Sequence, residues 1–222
     1  MGRSRMILNT ILLGLSLLAA PVAMATSADL ATLMTAAEKG DVNAQYLVGA
    51  SYYDGQGVAK DHTKAASWFL KAAEQGNADA QYILGHMYLK GQGVTLNYKQ
   101  AASWLAKAAE QGNAEAQLKF GLMQSEGMGL PQNYQQSVFW YEKAAKQGLP
   151  LAQTNLGLAY AQGKGVPQNN VQAYAWLSVA AATGLKPATE ARDYIANSMT
   201  PSQLEKGQDL AANYFEKYKP KQ

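Results

Sequence analysis

Every tryptophan in the chain falls in one register: Trp68, Trp104, Trp140 and Trp176 stand 36 residues apart. A fixed period of this length is the signature of a stacked array, whose units bury their apolar faces only against one another. The same period carries Gly49, Gly85, Gly121 and Gly157, the glycine pairs Gly55/Gly57, Gly91/Gly93, Gly127/Gly129 and Gly163/Gly165, and Ala44, Ala80, Ala116 and Ala152. No insertion interrupts it, so four units follow, at 41–76, 77–112, 113–148 and 149–184.

Each unit reads as an antiparallel pair of helices. In the first, Ala44, Gln45, Val48, Gly49 and Tyr52 share one face at helical spacing, and that face is predicted to turn inward. A Gly-x-Gly loop then ends the helix and reverses the chain. The second helix starts at Asp61, Asn97, Asn133 or Asn169, and Gln100, Gln136 and Gln172 stand where the reciprocal partner of a capping box belongs. A glycine inside a helix costs about 1 kcal/mol relative to alanine. Gly49, Gly85, Gly121 and Gly157 are therefore expected to permit close helix approach, with room left by the pairs Ala72-Ala73, Ala108-Ala109, Ala144-Ala145 and Ala180-Ala181. Trp68, Trp104, Trp140 and Trp176 are expected to seal one unit to the next, each burial being worth about 4 to 6 kcal/mol before entropy.

The ends extend the pattern. Residues 26–40 read as a capping half unit, and 185–222 as a further half unit, a capping helix from Thr200-Pro201 and a basic tail with Lys217, Lys219 and Lys221. Ahead of the array, Arg3 and Arg5 precede an apolar run from Met6 to Ala20, then Pro21 and Ala23-Met24-Ala25. This order predicts a secretory signal peptide, residues 1–25, cleaved after Ala25, and a periplasmic or secreted mature protein that needs no membrane.

The unit Ala-x-x-x-Leu-Gly-x-x-Tyr-x-x-Gly-x-Gly-Val followed by Ala-x-x-Trp-x-x-Lys-Ala-Ala-x-x-Gly resembles the Sel1-like repeat, a relative of the tetratricopeptide repeat. It is clearest from Ala80 through Leu84-Gly85, Tyr88, Gly91, Gly93 and Val94 to Ala101, Trp104, Lys107, Ala108, Ala109 and Gly112. The departures are Gln124 for Tyr, Ser137 for Ala and Val179 for Lys. The resemblance implies an all-α fold, a right-handed α-solenoid of antiparallel helix pairs, and a function as adaptor or scaffold.

The chemistry available narrows the function. The formal charge of +3 falls to +1 once Arg3 and Arg5 leave with the leader, which argues against a nucleic-acid partner. There is no Cys, and His62 and His86 are the only imidazoles, so no cofactor or metal site and no nucleophile, base and orienter set is expected. His62, at a helix start, is expected in solvent. The reading is a non-catalytic binder. If the first helices line a concave face, its open stripe holds Asn43, Tyr46, Tyr53 and Asp54; Asp79, Tyr82, His86 and Lys90; Glu115, Leu118, Leu122 and Glu126; then Leu151, Thr154, Leu158 and Gln162. Variation and mixed chemistry in this stripe point to recognition of a protein segment, with Tyr46, Tyr53, Tyr82 and His86 as anchor. A peptidoglycan or carbohydrate binder is the alternative, favoured by exposed Tyr. A β-lactamase-like hydrolase of the Sel1 type is the second, but its relatives are rich in cysteine and this chain has none.

Overall fold

A computed structural model describes residues 27–219; the predicted leader, its cleavage point and Lys221 lie outside them. All eleven regular elements described are α-helices: α1 (Ser27–Glu38), α2 (Val42–Asp54), α3 (His62–Glu74), α4 (Ala78–Lys90), α5 (Tyr98–Glu110), α6 (Ala114–Glu126), α7 (Tyr134–Lys146), α8 (Pro150–Gln162), α9 (Asn170–Ala181), α10 (Lys186–Ala196) and α11 (Pro201–Tyr218). Through α10 each helix packs mainly on its neighbours in sequence, which is the organisation of a solenoid, and α11 folds back onto α9.

Local chemistry explains the boundaries. Asp41, Asn77 and Asn113 cap α2, α4 and α6 through bonds of 2.7 to 2.9 Å from the backbone of Ala44, Ala80 and Ala116. Asn97, Asn133 and Asn169 cap the second helices in the same way, at 3.0 to 3.1 Å. Their own backbone N–H groups do not turn to the glutamine of a capping box. They donate instead to the carbonyls of Tyr88, Gln124 and Tyr160, so the cap also ties the loop to the preceding first helix. The reciprocal box exists at α11, where Thr200 and Gln203 exchange bonds of 3.2 and 2.9 Å.

The mid-helix glycines meet a different partner from the expected alanine pair. A Cβ on Gly49, Gly85, Gly121 or Gly157 would lie 2.7 to 2.8 Å from Phe69, Leu105, Tyr141 or Leu177, the residue after each Trp. Phe69, Leu105 and Leu177 are fully buried there, and the alanine pairs line the same core. The second glycine of a loop has another duty. A side chain at Gly93, Gly129 or Gly165 would run into the backbone at His62, Tyr98 or Tyr134, the first residue of the second helix one unit earlier.

A ladder of amides runs through the seams. Gln45, Gln81 and Gln117 donate to the carbonyls of Ala37, Ala73 and Ala109 at 3.0 to 3.1 Å. Each then accepts from Gln75, Gln111 or Gln147 at 2.7 to 2.8 Å. These buried amides are thus satisfied on both sides, the condition for a polar group to be tolerated in a core.

Each Trp lies under a lid. Lys71 sits 3.9 Å above the Trp68 ring, Lys107 4.2 Å above Trp104 and Lys143 5.5 Å from Trp140. In the fourth unit that lysine is Val179, which is buried, and Tyr214 and Tyr218 of α11 cover Trp176 instead, at 4.3 and 5.6 Å between rings. The departure from the repeat pattern is therefore structural: an ammonium there would lie beneath the closing helix. Phe215 on the same helix is exposed.

Candidate functional site

The first helices α2, α4, α6 and α8 bring the predicted stripe onto one face, but they lie close enough to cover part of it. Asn43, Asp54, Asp79, Lys90, Glu126 and Gln162 are exposed, while Tyr46, Tyr53, His86, Glu115, Leu122, Leu151 and Leu158 are half-buried. Tyr82, Leu118 and Thr154 are buried. The last three share one repeat position with the half-buried Tyr46 and correct the open stripe: from the second unit on that position is closed off by the packing around it, and the Thr154 hydroxyl donates to the Pro150 carbonyl within its own helix at 2.8 Å. Tyr46 leans on Phe69 at 5.9 Å, and Tyr53 meets Phe69 at 6.3 Å. Tyr53 also receives His62 edge-on at 4.9 Å, so His62 is half-buried and not in open solvent. The expected anchor of Tyr46, Tyr53, Tyr82 and His86 is thus partly structural.

What the face does gather is a set of polar groups with buried ends. Tyr82 Oη, His86 Nδ1 and Glu115 Oε2 are all shielded from solvent, and none has a hydrogen-bond partner. Burial holds the Tyr82 phenol well above its usual range, with the Glu115 carboxylate adding to it. Burial pushes His86 down to about 4, helped by Lys119 and then Lys90. Burial likewise raises Glu115, against the pull of Lys119, and lowers Lys119. These shifts describe one neighbourhood spanning α4 and α6, where the charged form of each group is disfavoured and the neutral imidazole can accept or donate a bond. Unpaired buried polar groups cost free energy, and three of them lie together in this neighbourhood.

Among the described residues no cluster of His, Asp or Glu is placed to hold a metal ion, and no helix is long and apolar enough to cross a membrane. Beyond His86 and Glu115 the face continues to a semi-open cavity of about 130 Å³ where α6, α7 and α8 meet.

The Sel1 repeat family matches residues 42–77, 78–113, 114–149 and 150–185. The chain belongs to this family. A Sel1 repeat protein from Oxalobacter formigenes is 33% identical in its crystal structure, with a TM-score of 0.72 over 86% of this chain and 79% of that one. A stretch of 36 residues, 16% of the chain, is 56% identical to the ERAD-associated E3 ubiquitin-protein ligase component HRD3A of Arabidopsis thaliana, of which it spans 5%. Against this Sel1 framework, sequence reasoning placed His86, Glu115 and their neighbours on one face but missed Lys119. That residue stands where Leu47, Ile83 and Asn155 stand in the other units, and a cation at a position otherwise free of charge was the signal available.

Proposed function

We propose that this Sel1 repeat protein is a non-catalytic scaffold, exported by a bacterium to its periplasm or surroundings, that holds a segment of another protein along the face formed by α2, α4, α6 and α8. The family supports the general reading, since Sel1 repeat proteins act as protein-interaction scaffolds. The observation that carries the location is the pair of unpartnered ends on the half-buried His86 and Glu115, which a polar segment laid along the face would satisfy. Export rests on Arg3, Arg5, the apolar run and Ala23-Met24-Ala25.

A photo-crosslinking residue at Lys90, exposed on α4, tests this against the same residue at Lys99, exposed on α5. Expressed with its leader, the protein should yield one dominant adduct from position 90 in the envelope or medium fraction, weakened about tenfold by Glu115→Ala. Equal adducts from both positions, cytoplasmic retention, β-lactam turnover or saturable binding of glycan strands would overturn the reading.

A further inference from the structure

The cavity between the third and fourth units is lined by residues that depart from the repeat. Tyr141 replaces Phe69, Leu105 and Leu177; Ser137 replaces Ala65, Ala101 and Ala173; Ser125 replaces Tyr53, Leu89 and Ala161; and Asn155 stands where Leu47, Ile83 and Lys119 stand elsewhere. All four line one cavity, together with apolar walls from Leu122, Val138 and Leu158. At the positions of Tyr141 and Ser137 every other unit holds an apolar side chain, so packing alone does not call for this set.

The hydrogen bonds fix what the cavity presents. Ser125 Oγ donates to the Leu122 carbonyl at 2.9 Å, so it can only accept from Tyr141, whose hydroxyl lies 3.2 Å away. The Tyr141 proton is thereby used, and its oxygen is left as an acceptor. Burial pushes this phenol above its usual range, and the nearby Ser125 and Ser137 hydroxyls act the other way, so it is neutral at physiological pH. Ser137 is 1% exposed, and its Oγ meets no partner at hydrogen-bonding geometry, although it lies beside the phenol one helical turn away. The Asn155 side-chain amide nitrogen is likewise shielded and unpartnered, and it can only donate. A ligand must therefore offer at least one acceptor and one donor, both uncharged, on an apolar stem.

Size and charge narrow it further. At about 130 Å³ the cavity is smaller than the roughly 300 Å³ at which sites for small-molecule ligands begin, and suits one side chain. A carboxylate or ammonium head would be desolvated with no counter-ion beside it, since Glu126 and Lys164 lie at the exposed rim and the inner groups are neutral. An apolar head would leave Asn155 and Ser137 unsatisfied. A primary amide supplies a carbonyl for Asn155 and an NH₂ for the Tyr141 and Ser137 oxygens, the pairing that Gln75 and Gln45 already make at a seam of this fold.

We propose that this cavity is a recognition pocket for one Gln or Asn side chain of the bound segment. The proposal rests on the scaffold reading above and gives that face a sequence preference. Propionamide, which reproduces the glutamine head, tests it by NMR titration of the full folded chain, with propionate and p-cresol as acid and phenol counterparts. Propionamide should give saturable shifts at the backbone amides of Ser125, Ser137 and Asn155, and the counterparts should bind at least about threefold to tenfold more weakly. Ser137→Ala, which restores the residue of the other units, should weaken propionamide by a similar factor without lowering the melting midpoint. The pocket is refuted by no saturable shift at the solubility limit, by equal response to propionate or p-cresol, or by an unchanged response in Ser137→Ala. Such a failure with crosslinking at position 90 intact removes the amide pocket alone. Loss of that crosslinking with the titration intact removes the scaffold reading alone.

Discussion

The two ends of the array close the same repeat position by different means. At the front, Trp68 stays half-exposed beneath an ammonium, with the Lys71 nitrogen 3.9 Å above its ring. At the back, Trp176 is 3% exposed under Tyr214 and Tyr218, and Tyr214 is itself held by a 2.9 Å bond from its hydroxyl to Gln172. A flexible lysine stem covers an indole while keeping its charge in water, whereas two aromatic rings exclude water from it. Identical residues in a repeat therefore need not carry equal energy; what the next element lays over them decides.

The largest effect should come from Trp176→Ala, a cost of about 3 to 5 kcal/mol, with Trp68→Ala costing about half as much. Urea titration of both variants checks this. Equal losses would mean that α11 adds nothing to the seal. Trp176 stands near the end of the repeats, but α11 makes that end an interior.

Acid should act between the ends. His86 is held down at about 4, whereas an unfolded imidazole titrates near 6.5. Its folded value is depressed, so its contribution is intact above about pH 6.5 and is lost as pH falls towards 4, where the unfolded chain binds the proton first. The loss stays below about 3 kcal/mol, since solvent screens a half-buried ring. Glu115, raised by burial, works in the opposite sense as it protonates. His86→Gln should flatten the fall in melting temperature over that window, and an unchanged slope would place the sensitivity elsewhere.

The smallest effect concerns the amide ladder. Gln75, Gln111 and Gln147 donate along it, but the equivalent residue in the last unit is Thr183. Gln153 consequently keeps a buried Oε1 with no partner, although its nitrogen still donates to Ala145 and, at 2.8 Å, to the Tyr218 carbonyl. Thr183→Gln should extend the ladder and add about 0.5 to 1.5 kcal/mol, read as a higher melting temperature. No gain would mean that α11 already completes this end.

The helix pairs, their turns and the family were legible because a strict period repeats each local signal four times, and chance does not. The close approach at Gly49 was legible too, but its partner was not, since a helical pattern gives the face of a residue and not which side chain opposes it; Phe69, next to the conspicuous Trp68, fills that space. The caps were half legible: Asn97 was visible as a cap, whereas its backbone bond to Tyr88 joins elements nine residues apart. At the candidate site, Tyr82 was read as open because one helix was considered alone, and neighbouring helices bury it. The polar cavity left a trace as Ser137, yet only the fold brings Ser137, Tyr141 and Asn155 to one place.

The contact of Gly93, Gly129 and Gly165 with the previous unit's backbone sets how successive hairpins lean on one another through main-chain atoms alone. Curvature is thereby decoupled from the identity of the residues displayed on the face of α2, α4, α6 and α8. Mutation can rewrite that side position by position, as Lys119 and Asn155 illustrate, while the frame that presents it keeps its pitch.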